Sequence, residues 1–203
     1  VGMCVSLEFG GSGLDFVSSV IAMEAISKAW ASLSVIMSVH NSLVCAPILR
    51  FGSAAQKEKY LALLASGEKL GCYALTEPGA GSDLASLKTT ARRDGDVYVV
   101  NGQKTLTTLA QHADWIFCLV RTDPGAKAQA GISFLLIDMK SPGVTVRPII
   151  TIDGSHEVND VFLEEVREGD VAPSTAGSTC VDVALRWLSR GAATAAGSGV
   201  PSP

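Results

Sequence analysis

Apolar residues in the first part of the chain recur at steps of three and four positions, which is the spacing of one face of a helix. The first such stretch runs from Phe16 to Trp30, directly after a potential capping residue, Asp15. It predicts a helix with a wide buried face. The second stretch, Leu33 to Phe51, carries few charges, so we expect it to lie deep in a helical bundle with a new turn or kink at Pro47.

A third helix is predicted over residues 54–66. Ser53 and Gln56 have the spacing of a capping box, in which each side chain satisfies a backbone donor at the helix start. Gly67 then supplies the stop. Nothing on this helix requires chemistry, so we interpret it as a solvated amphipathic helix.

From Leu70 onward the helical period gives way to alternation, which is the period of a half-buried strand. The dipeptides Asp94-Gly95 and Asn101-Gly102 are typical of hairpin turns and bracket a short strand at residues 97–100. Short strands without intervening helices favour an antiparallel barrel or sandwich. The predicted strands are residues 70–75, 87–92, 97–100, 103–108, 115–121, 132–138, 144–149 and 160–166.

These patterns predict an α+β protein, in which an N-terminal helical segment precedes an antiparallel β-barrel domain. We assign residues 1–69 to a partial helical domain and residues 70–168 to the barrel. Residues 169–203 are dominated by Ala, Gly, Ser, Thr and Pro, a composition that predicts an atypical, disordered tail with one short helix near residues 180–188.

Composition limits the function classes. With 203 residues, of which 47% are hydrophobic, the chain can bury a sizeable core. A formal net charge of -4 and the lack of Lys or Arg runs argue against a nucleic-acid partner. No apolar stretch of about 18 residues lacks polar interruption, so no membrane insertion is expected. The chain opens with Val1 and shows no secretory leader, so we expect an intracellular protein given without its true start.

The cysteines indicate a reducing compartment. They are odd in number, form no C-x-x-C pair and lie mostly in apolar runs, so we interpret them as buried free thiols. They are Cys4, Cys45, Cys72, Cys118 and Cys180.

The stretch YALTEPGAGSD, residues 73–83, ends the first predicted strand in a loop. Pro78 removes a backbone donor, while Gly79 and Gly81 bring no side chain that would keep a ligand away from the main chain. Free amides together with the Ser82 hydroxyl suit a phosphate, a flavin carbonyl or a thioester oxygen. An isolated Gly-x-Gly more often marks a tight surface turn, and this spacing is neither a dinucleotide fingerprint nor a Walker A loop.

The longer string resembles the first signature of the acyl-CoA dehydrogenase family, which lies against FAD and the acyl-CoA. The resemblance extends from about Phe9 to Val166 in the order that the family has. The matching stretches are VIMSVHNSL (35–43), PILRFGSAAQKEKYL (47–61), LASGEKLG (64–71), KTTA (88–91), VVNGQK (99–104), HADW (112–115) and TIDGSHEVNDVFLEEV (151–166).

The resemblance implies FAD as cofactor and assigns its contacts. In the first segment the main chain would pair with the flavin edge, the Thr hydroxyl would donate to the ring, and Ser82 would also face the acyl-CoA. In a second segment the family usually has Trp-Ile-Thr-Asn, where this chain has Leu106-Thr107-Thr108-Leu109. Thr108 keeps its hydroxyl, but Leu106 loses an aromatic contact of about 0.5–1.5 kcal/mol beyond area burial. The implied flavin contacts are Tyr73, Leu75, Thr76, Gly81, Ser82, Leu106 and Thr108.

The remaining candidates are interpreted as structural. His40, His112 and His156 lack partners at ligand spacing, so no metal site is predicted. Glu77 lies in the signature, within a polar loop next to Asp83, and we favour a role in holding that loop over a role as a base.

The reaction implied by the resemblance is α,β-dehydrogenation of an acyl-CoA thioester, with hydride passing to FAD and electrons to an electron-transferring flavoprotein. The family's base is a Glu of a C-terminal helical bundle. No position of this chain corresponds to it, so no catalytic residue is named and the chain alone is expected to be inactive. We attribute the atypical tail to a frameshift, a spliced end or an interrupted gene.

The intact family member is expected to form a homo-oligomer, a tetramer or dimer, in the bacterial cytoplasm or the mitochondrial matrix. Two alternatives remain open. The parent could be another member of the superfamily, an acyl-CoA oxidase or a flavin monooxygenase. The chain could also be a non-catalytic remnant.

Overall fold

The computed structural model describes residues 1–126 and 130–168. Within these residues, helices occupy the first part of the chain, and seven strands follow in a single curled sheet that forms a half-barrel. The α+β prediction is therefore confirmed. The predicted tail at residues 169–203, with its short helix and Cys180, lies outside the described residues.

Helix α1 spans Phe16–Ala29, and the Asp15 side chain caps it by accepting a 2.7 Å hydrogen bond from the Ser18 amide. The predicted wide buried face is wrong, because Ser19 is the one buried residue of this helix. Phe16 and Ile21 are 65% and 62% exposed. Within the described residues α1 packs mainly against the next helix, so nothing covers the rest of its apolar surface.

Helix α2 spans Ala31–Phe51 and contains a π-helical stretch, His40–Cys45. Its first half buries only Ser34, so the prediction that the whole stretch lies deep in a bundle holds for the second half alone. Pro47 stands at the start of the last segment, Ala46–Phe51, where a missing amide hydrogen is tolerated. By length and composition α2 could also cross a membrane, although no membrane insertion is predicted from the sequence; core helices of soluble proteins share this length and composition.

Helix α3, residues 54–66, joins the helices to the sheet. The predicted capping box is present. The backbone amide of Gln56 donates to the Ser53 hydroxyl, and the backbone amide of Ser53 donates to the side-chain oxygen of Gln56. Gly67 ends the helix at φ 80°. Tyr60 and Leu64 are buried, together with side chains of the sheet, in one cluster that includes Val5, Val44, Cys45, Ile48, Leu61, Ala65, Phe117 and Leu136.

The strands of the sheet are β1 Gly71–Ala74, β2 Thr90–Asp94, β3 Val97–Thr108, β4 Trp115–Arg121, β5 Ile132–Asp138, β6 Val144–Ile149 and β7 Val158–Glu168. They have the order β1-β4-β2-β3-β7-β6, and β5 also pairs with β4. Most pairs are antiparallel, as predicted, but β1 runs parallel to β4, and a single bridge between β2 and β4 is also parallel. The intervening β2 and β3 provide the crossover that a parallel pair needs.

The start of β1 is fixed by Asp114, which directly precedes β4. Its carboxylate accepts hydrogen bonds from the Lys69 ammonium at 2.8 Å and from the Leu70 amide at 3.1 Å. The Asp114 amide in turn donates to the Leu70 carbonyl at 2.8 Å. These contacts set the parallel register that places the end of β1 at the surface.

The interior of the sheet contains the buried cysteines. Cys72 and Cys118 lie in its core and Cys45 in the helix–sheet cluster, while Cys4 is half-buried; all four are free thiols. Burial raises the pKa of Cys45 and of Cys72 to about 12. The interpretation of these four cysteines as free thiols is confirmed, with three of them buried.

Of the two predicted hairpin dipeptides, only one forms a turn. Asp94 pairs with Val97 across Gly95, which has φ 63°. Asn101-Gly102 lies instead inside β3, at a register shift opposite β7, so the prediction of a hairpin there is wrong. A Cβ on Gly102 would lie 2.5 Å from the Thr89 hydroxyl oxygen, so this glycine allows a close approach between segments.

Gly102→Ala is expected to lower the free energy of unfolding by about 1–3 kcal/mol, because the added methyl group overpacks the contact with Thr89. Urea unfolding of the 203-residue chain measures the change. Gly79→Ala is the matched control: its methyl group would enter open space, and we expect a change within about 0.5 kcal/mol. Equal midpoints for Gly102→Ala and the unchanged chain would contradict the close-approach explanation.

Candidate functional site

The loop after β1 is open to the surface. Glu77 and Ala80 exchange two backbone hydrogen bonds, of 3.0 and 3.1 Å, and close a turn whose tip is Pro78 and Gly79. Cβ atoms added to Gly79 or Gly81 would meet no atom within 4 Å. The surface-turn interpretation therefore describes the backbone correctly, and the turn leaves room for a ligand beside its main chain.

The side chain of Glu77, the residue that begins this turn, is buried beneath it. One carboxylate oxygen accepts a 2.6 Å hydrogen bond from the Lys88 amide, and the other accepts from the Thr89 amide and the Lys104 ammonium, both at 2.9 Å. The sequence analysis placed Glu77 in a polar loop next to Asp83; its side chain is in fact only 7% exposed. Its partners are those of a residue that holds the loop.

The Glu77 carboxylate stays ionised at neutral pH. Burial raises the pKa of Glu77, but the hydrogen bonds from Thr89 and Lys88 and the charge of Lys104 outweigh burial and leave it below the ordinary value of 4.5. Its contribution to stability is therefore present above the unfolded-state pKa and is lost as the pH falls through the lower folded-state pKa. Because its oxygens are already bonded to three donors, Glu77 is poorly placed to accept a substrate proton.

The end of β3 lies directly against this loop. Lys104, which is fully buried, also donates a 3.1 Å hydrogen bond to the Leu75 carbonyl. The next amide, that of Thr105, donates to the Thr76 carbonyl at 2.9 Å. These contacts join the two segments to which the sequence analysis assigned flavin contacts.

Beyond Thr105 the strand bulges. The pairing with β7 shifts register between Lys104 and Thr107, and Leu106 adopts φ 55°, which leaves its side chain 57% exposed. A leucine with positive φ is uncommon and concentrates strain of about 1–3 kcal/mol where neighbouring contacts hold it in place. The bulge directs the Leu106 side chain toward the surface.

Asn159 of β7 fixes the other side of the bulge. Its fully buried amide donates to the Thr107 carbonyl at 3.1 Å and to the Gln111 side chain at 2.6 Å, and its oxygen lies 2.7 Å from the His156 ring. The Leu109 amide donates to the Glu157 carbonyl at 2.8 Å. The segment from Thr107 to Leu109 is thereby held on β7.

The sequence-predicted contacts fall on these two adjoining segments. Thr76 lies beside Thr105 and Leu106 through the backbone hydrogen bond described above. The Tyr73 ring packs inward against Phe134, with centroids 5.6 Å apart, and burial raises its pKa. The predicted contacts fall into a half-buried group, Tyr73, Leu75 and Thr76, and an exposed group, Gly81, Ser82, Leu106 and Thr108.

Sequence reasoning missed Lys104 and Asn159. Lys104 lies in the quoted string VVNGQK, where alternation from the buried Val100 gives it an inward position. A lysine at an inward position requires an acidic partner, which is a signal that could have identified its pairing with Glu77. No comparable local signal marks Asn159, whose amide donates to Thr107 and Gln111, both more than 40 residues away.

Two of the three histidines, His40 and His156, make hydrogen-bond contacts inside the protein. The His40 ring lies 2.7 Å from the Leu64 carbonyl, and burial lowers its pKa. His156 contacts Asn159, and His112 is exposed at the end of a 3₁₀ turn, Ala110–His112. Among residues 1–126 and 130–168, no three His, Cys, Asp or Glu side chains are grouped to hold a metal ion.

Two family models match the chain in consecutive order. The model for the acyl-CoA dehydrogenase N-terminal domain matches residues 1–68, and the model for the acyl-CoA dehydrogenase middle domain matches residues 72–166. Together they account for most of the chain.

Individual relatives agree with these matches. The chain is 45% identical over 163 residues to the human short-chain specific acyl-CoA dehydrogenase, mitochondrial, covering 79% of this chain and 39% of the human protein. The acyl-CoA dehydrogenase from Geobacillus kaustophilus superposes with a TM-score of 0.80 at 35% identity, covering 94% of this chain and 50% of that one.

A third relative carries a flavin. The glutaryl-CoA dehydrogenase of Mycobacterium smegmatis, solved in complex with FADH2, superposes with a TM-score of 0.76 at 31% identity, covering 87% of this chain and 45% of that one. The chain thus spans half or less of the length of each of these relatives. Because both domain models and all three relatives belong to one family, this chain is a member of the acyl-CoA dehydrogenase family and carries its N-terminal and middle domain regions.

Proposed function

We propose that this chain is the flavin-facing part of a flavin-dependent acyl-CoA dehydrogenase. The observation that carries the proposal is the joining of two surface segments, the loop after β1 and the bulge of β3, by the Thr105–Thr76 and Lys104–Leu75 hydrogen bonds. Between them these segments expose hydroxyls and open glycines, which suit a ligand with a polar edge and a flat ring. We also propose that the helical and barrel domains meet near residue 69.

The proposed FAD contacts are those implied by the family signature. Thr76 and Thr108 would donate hydrogen bonds to the flavin, and Gly81 would let the ligand approach the main chain closely. Ser82, exposed at the far end of the loop, would contact the cofactor and the acyl-CoA thioester. The remaining proposed flavin contacts are Tyr73, Leu75 and Leu106.

The proposed reaction is α,β-dehydrogenation of an acyl-CoA. Bound FAD would supply the hydride acceptor. The α proton of a thioester is weakly acidic, so its removal requires a desolvated carboxylate and hydrogen bonds to the developing enolate oxygen. In the family this carboxylate belongs to the C-terminal bundle, and we assign none of these 203 residues to that role.

The proposed setting follows from the family. The intact parent would pass its electrons to an electron-transferring flavoprotein and form a homo-oligomer, either a dimer or a tetramer. Its relatives come from mitochondria and from bacteria, which supports the mitochondrial matrix or the bacterial cytoplasm as its location.

A second candidate is an oxidase or monooxygenase of the same superfamily. The observation that favours it is Leu106, which is exposed where the family usually has a tryptophan along the flavin ring. Oxygen consumption by the parent enzyme, compared with reduction of a dye acceptor, separates these chemistries. A non-catalytic remnant is the third candidate, and flavin titration tests it directly.

FAD titrated with the 203-residue chain is expected to show weak but saturable quenching of flavin fluorescence. Leu106→Trp should lower the dissociation constant roughly 2- to 10-fold, because it restores an aromatic contact with the ring. Leu7→Trp, at a site that is 77% exposed and far from the loop in sequence, is the matched control and should leave the constant unchanged. If none of the three proteins saturates, the chain is a remnant without a flavin site.

The purified chain is expected to give no acyl-CoA-dependent dye reduction above the rate with free FAD, because no residue is assigned as proton acceptor. The measurement uses butyryl-CoA with an artificial electron acceptor in the presence of excess FAD. Turnover above the free-flavin background would show that these residues contain a base, and would overturn this part of the proposal.

A further inference from the structure

The Glu77–Lys104 ion pair is unusual for its burial. The side chains are 7% and 0% exposed, and the nitrogen lies 2.9 Å from the oxygen. Other ion pairs among the described residues are much more open; Arg167 and Asp94, for example, are 59% and 44% exposed. Burying two opposite charges costs about as much as their attraction returns, so a buried pair is weak evidence for a contribution to stability.

Unlike an apolar contact, the ion pair forms hydrogen bonds that fix the relative orientation of the segments they join. Its hydrogen bonds connect three segments that are separate in sequence: the loop at Leu75 and Glu77, the amides of Lys88 and Thr89, and strand β3 at Lys104. Each bond fixes a distance and an angle, which two packed methylene groups would not do. The pair therefore specifies where the loop lies on β3.

We propose that Lys104 and Glu77 are positioning residues for the flavin site, fixing the loop at residues 75–83 against the bulge of β3 in its binding arrangement. The inference rests on the proposed function of these segments. Neither side chain is exposed enough to contact the ligand, so both act through the backbone groups they hold. A preformed arrangement spares the binding step the cost of ordering the loop.

The test compares the chain with Lys104→Met and with the double variant Glu77→Leu/Lys104→Met. The single variant leaves a buried carboxylate without its counter-charge and should lower stability strongly. The double variant replaces both charges with apolar groups of similar volume and should recover part of that stability, because the Lys88 and Thr89 amides still lose their acceptor. Arg167→Met removes a solvent-exposed partner elsewhere in the sheet and serves as the control.

Amide hydrogen exchange, measured without FAD, reports whether the loop stays hydrogen-bonded to β3. In the double variant we expect exchange at the Thr105 amide, which donates to the Thr76 carbonyl, to become at least about tenfold faster, because the segments separate locally. The Ile116 and Ile137 amides, on the paired β4 and β5, should keep their rates. Unchanged exchange at Thr105, in a folded double variant, would overturn the proposal.

FAD titration then tests whether the position of the loop affects FAD affinity. The folded double variant should bind FAD about tenfold more weakly than the unchanged chain, because the loop must be ordered on binding. Arg167→Met should bind like the unchanged chain. Equal FAD affinity in the double variant would overturn the positioning role and reduce the pair to a structural one. If the unchanged chain does not bind FAD at all, the proposed function fails, and the exchange rates alone decide whether the pair positions the loop.

Discussion

Two opposite charges enclosed beneath a surface turn determine the arrangement of this molecule's candidate site. The Lys104 ammonium cannot leave the interior without abandoning the Leu75 carbonyl and the Glu77 carboxylate, and Glu77 cannot leave without exposing the amides of Lys88 and Thr89. A buried charge without its partner is costly. The end of β1, the start of β2 and the last third of β3 are thereby held together at one place.

The helices support this arrangement from one side and leave another surface uncovered. Helix α3 and the second half of α2 bury Tyr60, Leu64 and Val44 against the sheet, which fixes the face from which β1 emerges. Helix α1 does not take part in that core, and its apolar side chains point to solvent. The chain also spans half or less of each of the three relatives compared above. An uncovered apolar face is consistent with a family whose members are longer.

Local signals in the sequence predicted local structure well. The Asp15 cap, the capping box at Ser53 and the stop at Gly67 depend on hydrogen bonds or backbone angles within a few residues, so their sequence patterns were sufficient. The turn at Gly95 belongs to the same class. The loop at residues 75–83 and its exposed Ser82 hydroxyl could likewise be located from residue types alone.

Features that depend on distant segments were not predictable in this way. Asn101-Gly102 has the composition of a turn, but its glycine serves a contact with Thr89 that no local pattern reports. Periodicity shows that α1 has an apolar face without showing whether anything covers it. The partners of Lys104 and Asn159 come from other strands and loops, so their roles emerged only from the fold.

The left-handed backbone at Leu106 and Leu109 limits which residues the bulge can accept over evolutionary time. Side chains branched at Cβ crowd the backbone in that conformation, so Val, Ile and Thr are disfavoured there, while unbranched, aromatic, Asn or Gly side chains are better tolerated. Exchange of a tryptophan for leucine stays within this permitted set. The geometry of the main chain thus permits several residue types at Leu106 and disfavours those that would straighten the strand.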